Sequence, residues 1–320
     1  MAQDLIQLEL FPRLNITEPR VQRTHTPIFQ FITSSCLFYY GKMKDEQLQV
    51  ERDVLYQGVK LHITITRQRG VKNNKVIYDQ VLNYQDEKVF QTLLFQCYNG
   101  QHKVYASDID KNVILYTSLY SIQKDIDKGL STRFIRSSLD KLTNIKIMIE
   151  DECKTKEWTS NNSIIQDFVV SKKDKGVVIR FSDKISDEIK KEIKDKTRKE
   201  IAMANYKTLI DFRLPLSAYI YKTIIFNHDL YSVNGMERRQ FNQYNVWKFL
   251  KNGGFEYKDK FQKQNLKRMV KKAIDELQQA RVINYCDCFD PKKPNDITFH
   301  LSTKTVKETF NQPKVPKLIK

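Results

Sequence analysis

The strongest constraint on the fold is an internal repeat, because two short blocks of the sequence occur twice and in the same order. The block VFQTLLF at 89–95 is matched by IYKTIIF at 220–226, which lies 131 positions later. The longer block RFIRSSLDKLTNIKI at 133–147 is matched by RMVKKAIDELQQARV at 268–282, which lies 135 positions later. Amphipathic helices resemble one another in general, but two ordered matches at nearly equal offsets indicate two copies of one structural unit.

The order of elements within each copy predicts the kind of unit. Apolar residues at helical spacing indicate three successive helices, and a strand, a loop and a second strand follow them. This is the order of a winged helix, in which the third helix enters the major groove of DNA and a β-hairpin forms the wing. The expected fold class is therefore α+β, with two tandem winged-helix domains, an N-terminal arm and a leading β-hairpin.

Local signals place the elements of the first copy. VKLHITIT at 59–66 alternates apolar and polar residues and predicts a strand, and VIYDQV at 76–81 is expected to return as a second strand. Either Asn83 or Asp86 can cap the first helix. ILYTSLYSIQKDI at 114–126 has the apolar spacing of a second helix.

The second copy begins with PLSAYIYKTIIFN at 215–227, a predicted helix with proline in its first turn, and QYNVWKFLKNGG at 243–254 predicts the next helix. Between the copies, the charged segment 182–202 has an apolar stripe of only three isoleucines, which is typical of a connector. The predicted parts are an N-terminal arm (1–45), a first winged-helix domain with its hairpin (46–181), a charged helical connector (182–207), a second winged-helix domain (208–302) and a basic tail (303–320).

The third helix of each copy has an apolar face at positions i, i+4 and i+7 that is expected to point inward. On the outward face, Arg can bridge two acceptors of guanine, Asn or Gln can bridge adenine, and Lys mainly contacts phosphates. The acidic residues Asp140, Asp275 and Glu276 come only toward the C-terminal ends. Recognition helices present their N-terminal turns to the bases, so this order of charges fits a DNA-reading helix.

The candidate DNA-binding residues comprise the outward residues of both third helices and the lysines of two expected wing tips, KKDK at 172–175 and PKKP at 291–294. They are Thr132, Arg133, Arg136, Ser137, Lys172, Lys173, Lys175, Gln264, Asn265, Lys267, Arg268, Lys271, Lys272, Lys292 and Lys293.

The composition favours a polyanionic partner. There are 55 Lys and Arg against 38 Asp and Glu, which gives a net charge of +17 and a pI of about 9.4. A field of that sign attracts nucleic acid, with an anionic membrane surface as the rival. Against a membrane role, no apolar run approaches the ~18 residues of a spanning helix, and the first residues lack a secretory pattern.

The sequence lacks the signatures of common enzymes and cofactor sites. RQRGVKNNK at 67–75 and KNGGF at 251–255 match neither phosphate-binding glycine pattern, and LHITIT at 61–66 has one histidine where a rolling-circle nickase shows two. The five cysteines are scattered, and CDC at 286–288 is too closely spaced for a zinc knuckle, which indicates free thiols in a reducing cytosol. We expect no catalytic residue, no metal and no cofactor.

In its order of elements the chain resembles the iteron-binding plasmid replication initiators of the "replication initiator protein A" type. Four stretches carry the resemblance, which extends from about residue 25 to about residue 300: HTPIFQF (25–31), GVKLHIT (58–64), STRFIRSSLDKLTN (131–144) and KKAIDELQQARVI (271–283). The chain departs from the family in its abundance of lysine and in the long charged segment at 182–202, which leaves the spacing between the two DNA-binding units open.

The resemblance implies a cytoplasmic, nucleoid-associated protein that binds direct repeats in double-stranded DNA at an origin and melts AT-rich DNA locally. It also implies recruitment of a host initiator and the replicative helicase, autoregulation through a homodimer, and no ATPase or nuclease activity. The alternatives are a winged-helix transcriptional regulator without a replication role, a nickase or recombinase, and a winged-helix scaffold that binds protein.

Overall fold

The structure is a computed structural model, in which the chain divides into two compact units. Among the described residues, the first unit ends at Asp211 and the second begins at Phe212. The predicted arm (1–45), the basic tail (303–320) and the first wing tip (172–175) lie outside the described residues. The structure describes residues 49–56, 59–66, 69–72, 75–78, 82–106, 111–126, 129–151, 163–171, 176–233 and 241–301.

The elements of the first unit are β1 (Gln49–Tyr56), β2 (Val59–Thr66), β3 (Arg69–Lys72), β4 (Lys75–Tyr78), α1 (Tyr84–Tyr98), β5 (Lys103–Tyr105), β6 (Ile114–Ser118), α2 (Leu119–Ile126), α3 (Thr132–Asn144), β7 (Lys146–Asp151), β8 (Ile165–Val170), β9 (Gly176–Phe181), α4 (Asp183–Lys194) and α5 (Lys196–Asp211). The elements of the second unit are α6 (Pro215–Val233), β10 (Phe241–Asn245), α7 (Val246–Asn252), α8 (Lys260–Gln279), β11 (Ile283–Asp290) and β12 (Lys293–Leu301).

The two units share one strand order, which confirms the predicted tandem winged helices. In the first unit, β6 precedes α2 and pairs with β9, and β9 pairs with β8 to form the wing hairpin. In the second unit, β10 precedes α7 and pairs with β12, which pairs with β11 in the same way. Each unit therefore contains the winged-helix order: a first helix, a strand that leads directly into the second helix, a third helix, and a wing hairpin after it.

The prediction for the leading hairpin is wrong in its pairing. Strand β2 pairs with β1 on one side and with β7 on the other, whereas β4 pairs with β3 in a separate hairpin. The sequence pattern did not reveal β1, because three consecutive charged residues at 51–53 obscure its alternation. Strand β7 directly follows α3, so in this unit the chain visits a second sheet before it returns to form the wing.

The strand between the first and second helices is also absent from the sequence prediction, in both copies. Residues 114–118 and 241–245 form five-residue strands, and a helix follows each without a break. Both helices start at a polar side chain that accepts a backbone N–H: Ser118 accepts from Ser121, and Asn245 accepts from Lys248. In the first copy Leu115, Leu119 and Ile122 are all buried, so the strand and helix share one apolar spacing and were read as a single helix.

The expected charged connector belongs to the packed body of the first unit. It is two helices, α4 and α5, and Ile185, Ile189 and Tyr206 are fully buried. Tyr206 stacks on Tyr98 of α1 with ring centroids 5.9 Å apart, and the Tyr98 hydroxyl donates to the Glu192 carboxylate at 2.5 Å. The stripe of three isoleucines suggested a connector because the further buried residues Tyr206, Leu209 and Ile210 of α5 lie beyond it.

In the first unit a buried carboxylate joins the first helix to the third. Asn83, one of the two caps that the sequence allowed, is the N-cap of α1, and Asp86 in the first turn completes a capping box with it. Its carboxylate also accepts from the Ser138 hydroxyl at 2.6 Å and from the Lys141 ammonium at 3.1 Å, both on α3. Asp86 is completely buried, so these donors compensate the loss of its hydration.

The second unit has a similar junction, but there the carboxylate belongs to the third helix instead of the first. Under the offsets of the repeat, Asp86 corresponds to Ser217 of α6, and Lys141 corresponds to Glu276 of α8. The Glu276 carboxylate accepts from the backbone N–H groups of Arg213 and Leu214, at 2.5 and 3.2 Å, and from the Ser217 hydroxyl at 2.5 Å. A carboxylate therefore lies at the N-terminus of the first helix in both units, where the helix dipole favours negative charge.

Removing the carboxylate of Asp86 tests this junction. We expect Asp86→Ala to lower the free energy of unfolding by about 3 kcal/mol, because it leaves the mostly buried Lys141 ammonium without its counter-charge. Urea denaturation followed by circular dichroism measures the effect. The matched control is Asp211→Ala, which breaks an exposed pair with Lys207 and should cost less than about 1 kcal/mol. Equal effects of the two substitutions would contradict this role of Asp86.

Candidate nucleic-acid interface

The third helix of the first unit, α3, presents the outward residues that the sequence predicted. Ser131 caps it by accepting the Phe134 N–H at 3.2 Å. The inward residues Ile135, Leu139 and Leu142 are fully buried. Four candidate residues are exposed in its first two turns: Thr132, Arg133, Arg136 and Ser137.

The third helix of the second unit, α8, is longer than α3, with 20 residues against 13. It begins at Lys260, where the Asp259 side chain accepts the Gln262 N–H at 2.7 Å. The extra length lies at the N-terminal end, so Gln264 is already inside the helix. Its inward residues are buried, and four of the candidate residues are exposed: Gln264, Arg268, Lys271 and Lys272.

Asn265 and Lys267 are half-buried. The Lys267 ammonium lies 5.0 Å from the ring centroid of Phe289, which belongs to the wing strand β11. In the same way the Lys263 ammonium lies 4.4 Å from the ring of Trp247 on α7. These lysines hold aromatic rings by cation–π contacts, so they connect α8 with its neighbours.

These contacts form an aromatic cluster that the sequence analysis did not identify. The Trp247 ring packs on Tyr257 and Phe289, with centroids 5.2 and 5.8 Å apart, and its indole N–H donates to Asn295 at 3.2 Å. The members are spread over four elements and loops, so no local spacing could indicate them. The cluster fixes the wing against α7 and α8, and thereby sets where the wing lies relative to the exposed face of α8.

The second wing is longer than predicted. Its strands run to Asp290 and start again at Lys293, so of the expected tip PKKP at 291–294 only Pro291 and Lys292 remain as a turn. The Asp290 carboxylate accepts the Lys292 N–H at 2.8 Å, and Phe289 takes a positive φ of 57° at a β-bulge. Lys292 and Lys293 are both exposed at the tip.

The predicted order of charges along the third helices needs one correction. Asp140 and Asp275 are exposed toward the C-terminal ends, as expected. Glu276 does not belong to the outward face, because its carboxylate caps the start of α6. Phe261, by contrast, was not selected from the sequence, yet 74% of it is exposed in the first turn of α8. An exposed phenyl ring there can contact the methyl group of a thymine in the major groove.

Two half-buried thiols lie beside α8 on the wing strand. The Cys288 thiol has a lowered pKa because it accepts a hydrogen bond from Cys286 and because the positive charge of Lys271 is near. Donation of that hydrogen bond and burial raise the pKa of Cys286 well above its usual range. Both cysteines are free, as is the buried Cys97.

Within the described residues, no group of three or more histidine, cysteine or acidic side chains has the arrangement of a metal site. Among the helices described, none is long and apolar enough to cross a membrane.

Comparison with known proteins finds similarity at the level of structure. No protein-family model and no curated protein matches the chain. A selenomethionine derivative of domains 2 and 3 of RctB is similar with a TM-score of 0.53 and 8% identity, over 86% of this chain and 98% of that one. A second structure of RctB domains 2-3 has a TM-score of 0.50 and 11% identity, over 87% and 98%.

The Pi initiator protein in complex with iteron DNA matches over 69% of this chain and 93% of that chain, with 11% identity and a TM-score of 0.43. At that TM-score the match supports no conclusion. The RctB matches, at 8% and 11% identity, show a shared fold and nothing about function.

The two wing thiols should differ in reactivity. We expect iodoacetamide to modify Cys288 faster than Cys286 or Cys97 near neutral pH, because a lowered pKa increases the fraction of thiolate. Lys271→Ala should slow the modification of Cys288, since loss of the positive charge raises its pKa. Peptide mass spectrometry resolves the sites, and a Cys286 that reacts first would contradict the assigned hydrogen bond.

Proposed function

We propose that this chain is a sequence-specific double-stranded DNA-binding protein that initiates replication at a plasmid-type origin. One observation carries the DNA-binding part: the third helix of each unit exposes arginine in its N-terminal half, beside hydroxyl side chains on α3 and the amide of Gln264 on α8. Arg133 and Arg136 on α3 and Arg268 on α8 are exposed. The turns that carry them, 132–137 and 264–272, contain no acidic residue. Arg of this kind can bridge the O6 and N7 atoms of guanine.

The surrounding side chains divide by role. Gln264 and Ser137 can read base edges, whereas the exposed ammonium groups of Lys271 and Lys272 contact phosphates and fix the helix in the groove. At the second wing tip, Lys292 and Lys293 are exposed and can contact the backbone beside the groove. The net charge of +17 supplies a long-range attraction for DNA that makes binding strongly dependent on salt.

The initiator part of the proposal rests on the family resemblance of the sequence. It includes binding to direct repeats, local melting of AT-rich DNA, recruitment of a host initiator and replicative helicase, and a homodimer that regulates its own gene. Two linked reading helices raise the affinity for one duplex through effective concentration. We assign the protein no enzymatic activity and no cofactor, and place it in the cytoplasm with the nucleoid.

The second candidate is a transcriptional regulator, because the tandem winged helices and their exposed third helices serve both roles equally. Footprinting on the DNA that flanks the gene separates the two. Several direct repeats of about two helical turns support initiation, whereas one inverted repeat supports a repressor. DNA cleavage in the presence of a divalent metal would favour a nuclease instead, and no protected DNA at all would favour a protein-binding scaffold.

Alanine substitutions of the leading arginines test both helices. We expect Arg133→Ala and Arg268→Ala each to weaken specific binding by ~1–3 kcal/mol, because each removes a contact to a base edge. Fluorescence anisotropy with the footprinted duplex measures the loss. Arg213→Ala is the matched control, since Arg213 is exposed but lies before α6 and outside both third helices. If neither helix variant loses affinity, the third helices do not read the bases.

The salt dependence of binding gives an independent check. The logarithm of the association constant should fall steeply and linearly with the logarithm of salt concentration, because the lysines displace counterions from phosphates. Lys272→Ala should reduce that slope by about one and weaken binding to all sequences alike. Binding that is unchanged at high salt would contradict phosphate contacts.

A further inference from the structure

The outer face of the four-stranded sheet β5-β6-β9-β8 in the first unit carries exposed aromatic and apolar side chains, whereas its inner face is buried. Tyr105 and Tyr116 are 42% and 41% exposed, and Val169 is 63% exposed. The strand register places all three on the same side of the sheet, opposite to the buried Leu115 and Ile179. We call this side the tyrosine face.

The two tyrosines and a lysine form a compact group at one end of the tyrosine face. Tyr105 and Tyr116 meet edge to face, with ring centroids 5.3 Å apart and planes inclined at 64°. The Lys103 ammonium lies 4.8 Å from the Tyr105 ring and 5.9 Å from the Tyr116 ring. A hydrogen bond from Lys103 to the Tyr105 hydroxyl raises the pKa of the lysine, so it remains charged at neutral pH.

The next two strands continue the face with an apolar floor and a second cation. Val178 lies opposite Tyr116, and Val169 lies opposite Val178, so apolar side chains run from the tyrosines to the far strand. Arg180 is exposed on the same side, where it pairs with Asp167 at 3.1 Å. Both side chains of that pair are about half exposed, so an incoming anion can compete with Asp167 for the guanidinium.

Aromatic rings between a lysine and an arginine on an open sheet fit a ligand that is both flat and anionic. Unpaired nucleic-acid bases stack on such rings, and the phosphates between them approach the cations. Duplex DNA cannot use this surface in the same way, because its base faces are covered by the neighbouring base pairs. We propose that the tyrosine face is a binding site for single-stranded DNA, separate from the two third helices.

The size of the face limits the site. Neighbouring strands lie ~4.8 Å apart, so the distance from β5 to β8 is about 14 Å. Sheets that bind single strands in this way stack two or three bases. Every base has a flat face, so we expect binding that tolerates any sequence and is weaker than that of the duplex-reading helices.

The experiment uses the full chain and a fluorescein-labelled oligothymidylate of about ten nucleotides, followed by anisotropy. Tyr105→Ala and Tyr116→Ala should each weaken binding at least about fivefold, the factor that corresponds to ~1 kcal/mol for one stacked base. Tyr105→Phe and Tyr116→Phe keep the ring and should stay within about twofold of the wild type. Tyr120→Ala is the matched control, because Tyr120 is 71% exposed but belongs to α2.

An abasic oligonucleotide of the same length separates stacking from charge. It should bind the wild type more weakly than oligothymidylate does, and it should not distinguish the tyrosine variants from the wild type. Binding of duplex DNA should also be unchanged in the variants, so failure of this proposal and failure of the duplex-binding proposal give different results. If an alanine variant does not fold, the comparison of Tyr116→Leu with Tyr116→Phe replaces it, because both fill the space and only one keeps a ring.

Three results would overturn the proposal. In the first, the wild type does not bind oligothymidylate, or the alanine variants bind it like the wild type. In the second, the alanine variants lose affinity for the abasic strand to the same extent, which would show an effect on charge or folding. In the third, sedimentation shows that the variants lose self-association and keep oligothymidylate binding, which would assign the tyrosine face to a second copy of the chain.

Discussion

The arrangement of each unit depends on the carboxylate between its first and third helices. Asp86 supplies it from the first helix of one unit, and Glu276 supplies it from the third helix of the other. Both satisfy the N-terminal donors of the first helix and tie the third helix to it. The third helix therefore has a fixed rotation about its own axis, and that rotation determines which of its side chains are exposed.

This rotation connects the fold with the proposed function. Once Ile135 and Leu139 are buried, Arg133 and Arg136 must lie on the exposed side of α3. In the second unit the Trp247 and Phe289 rings add a second restraint, because they hold the wing against α7 and α8. Restraints of this kind hold the exposed side chains of α8 and the wing lysines in one arrangement. Under the proposed function, that arrangement reduces the entropy cost of binding DNA.

Structural features that depend on the spacing of nearby residues could be predicted from the sequence. Features that depend on contacts between residues far apart in the chain could not. The third helices, their buried faces and the cap at Asn83, one of the two candidates, follow from local patterns and are confirmed. The strands before α2 and α7 were missed because their apolar residues also fit a helix, and only pairing with the wing decides between the two. The contact of Glu276 with the start of α6 could not be predicted either, since its donors lie about 60 residues away.

Under the proposed function, the exposed face of α3 and that of α8 each contact duplex DNA. Photo-crosslinking tests it most directly, with a photoreactive residue placed at Ser137 in one variant, at Gln264 in another and at the exposed Glu200 of α5 as a control. We predict that the first two crosslink to bases within the footprinted duplex, at separate positions, and that the control does not. If the protein binds the duplex while neither Ser137 nor Gln264 crosslinks to it, the account of the two reading helices is wrong.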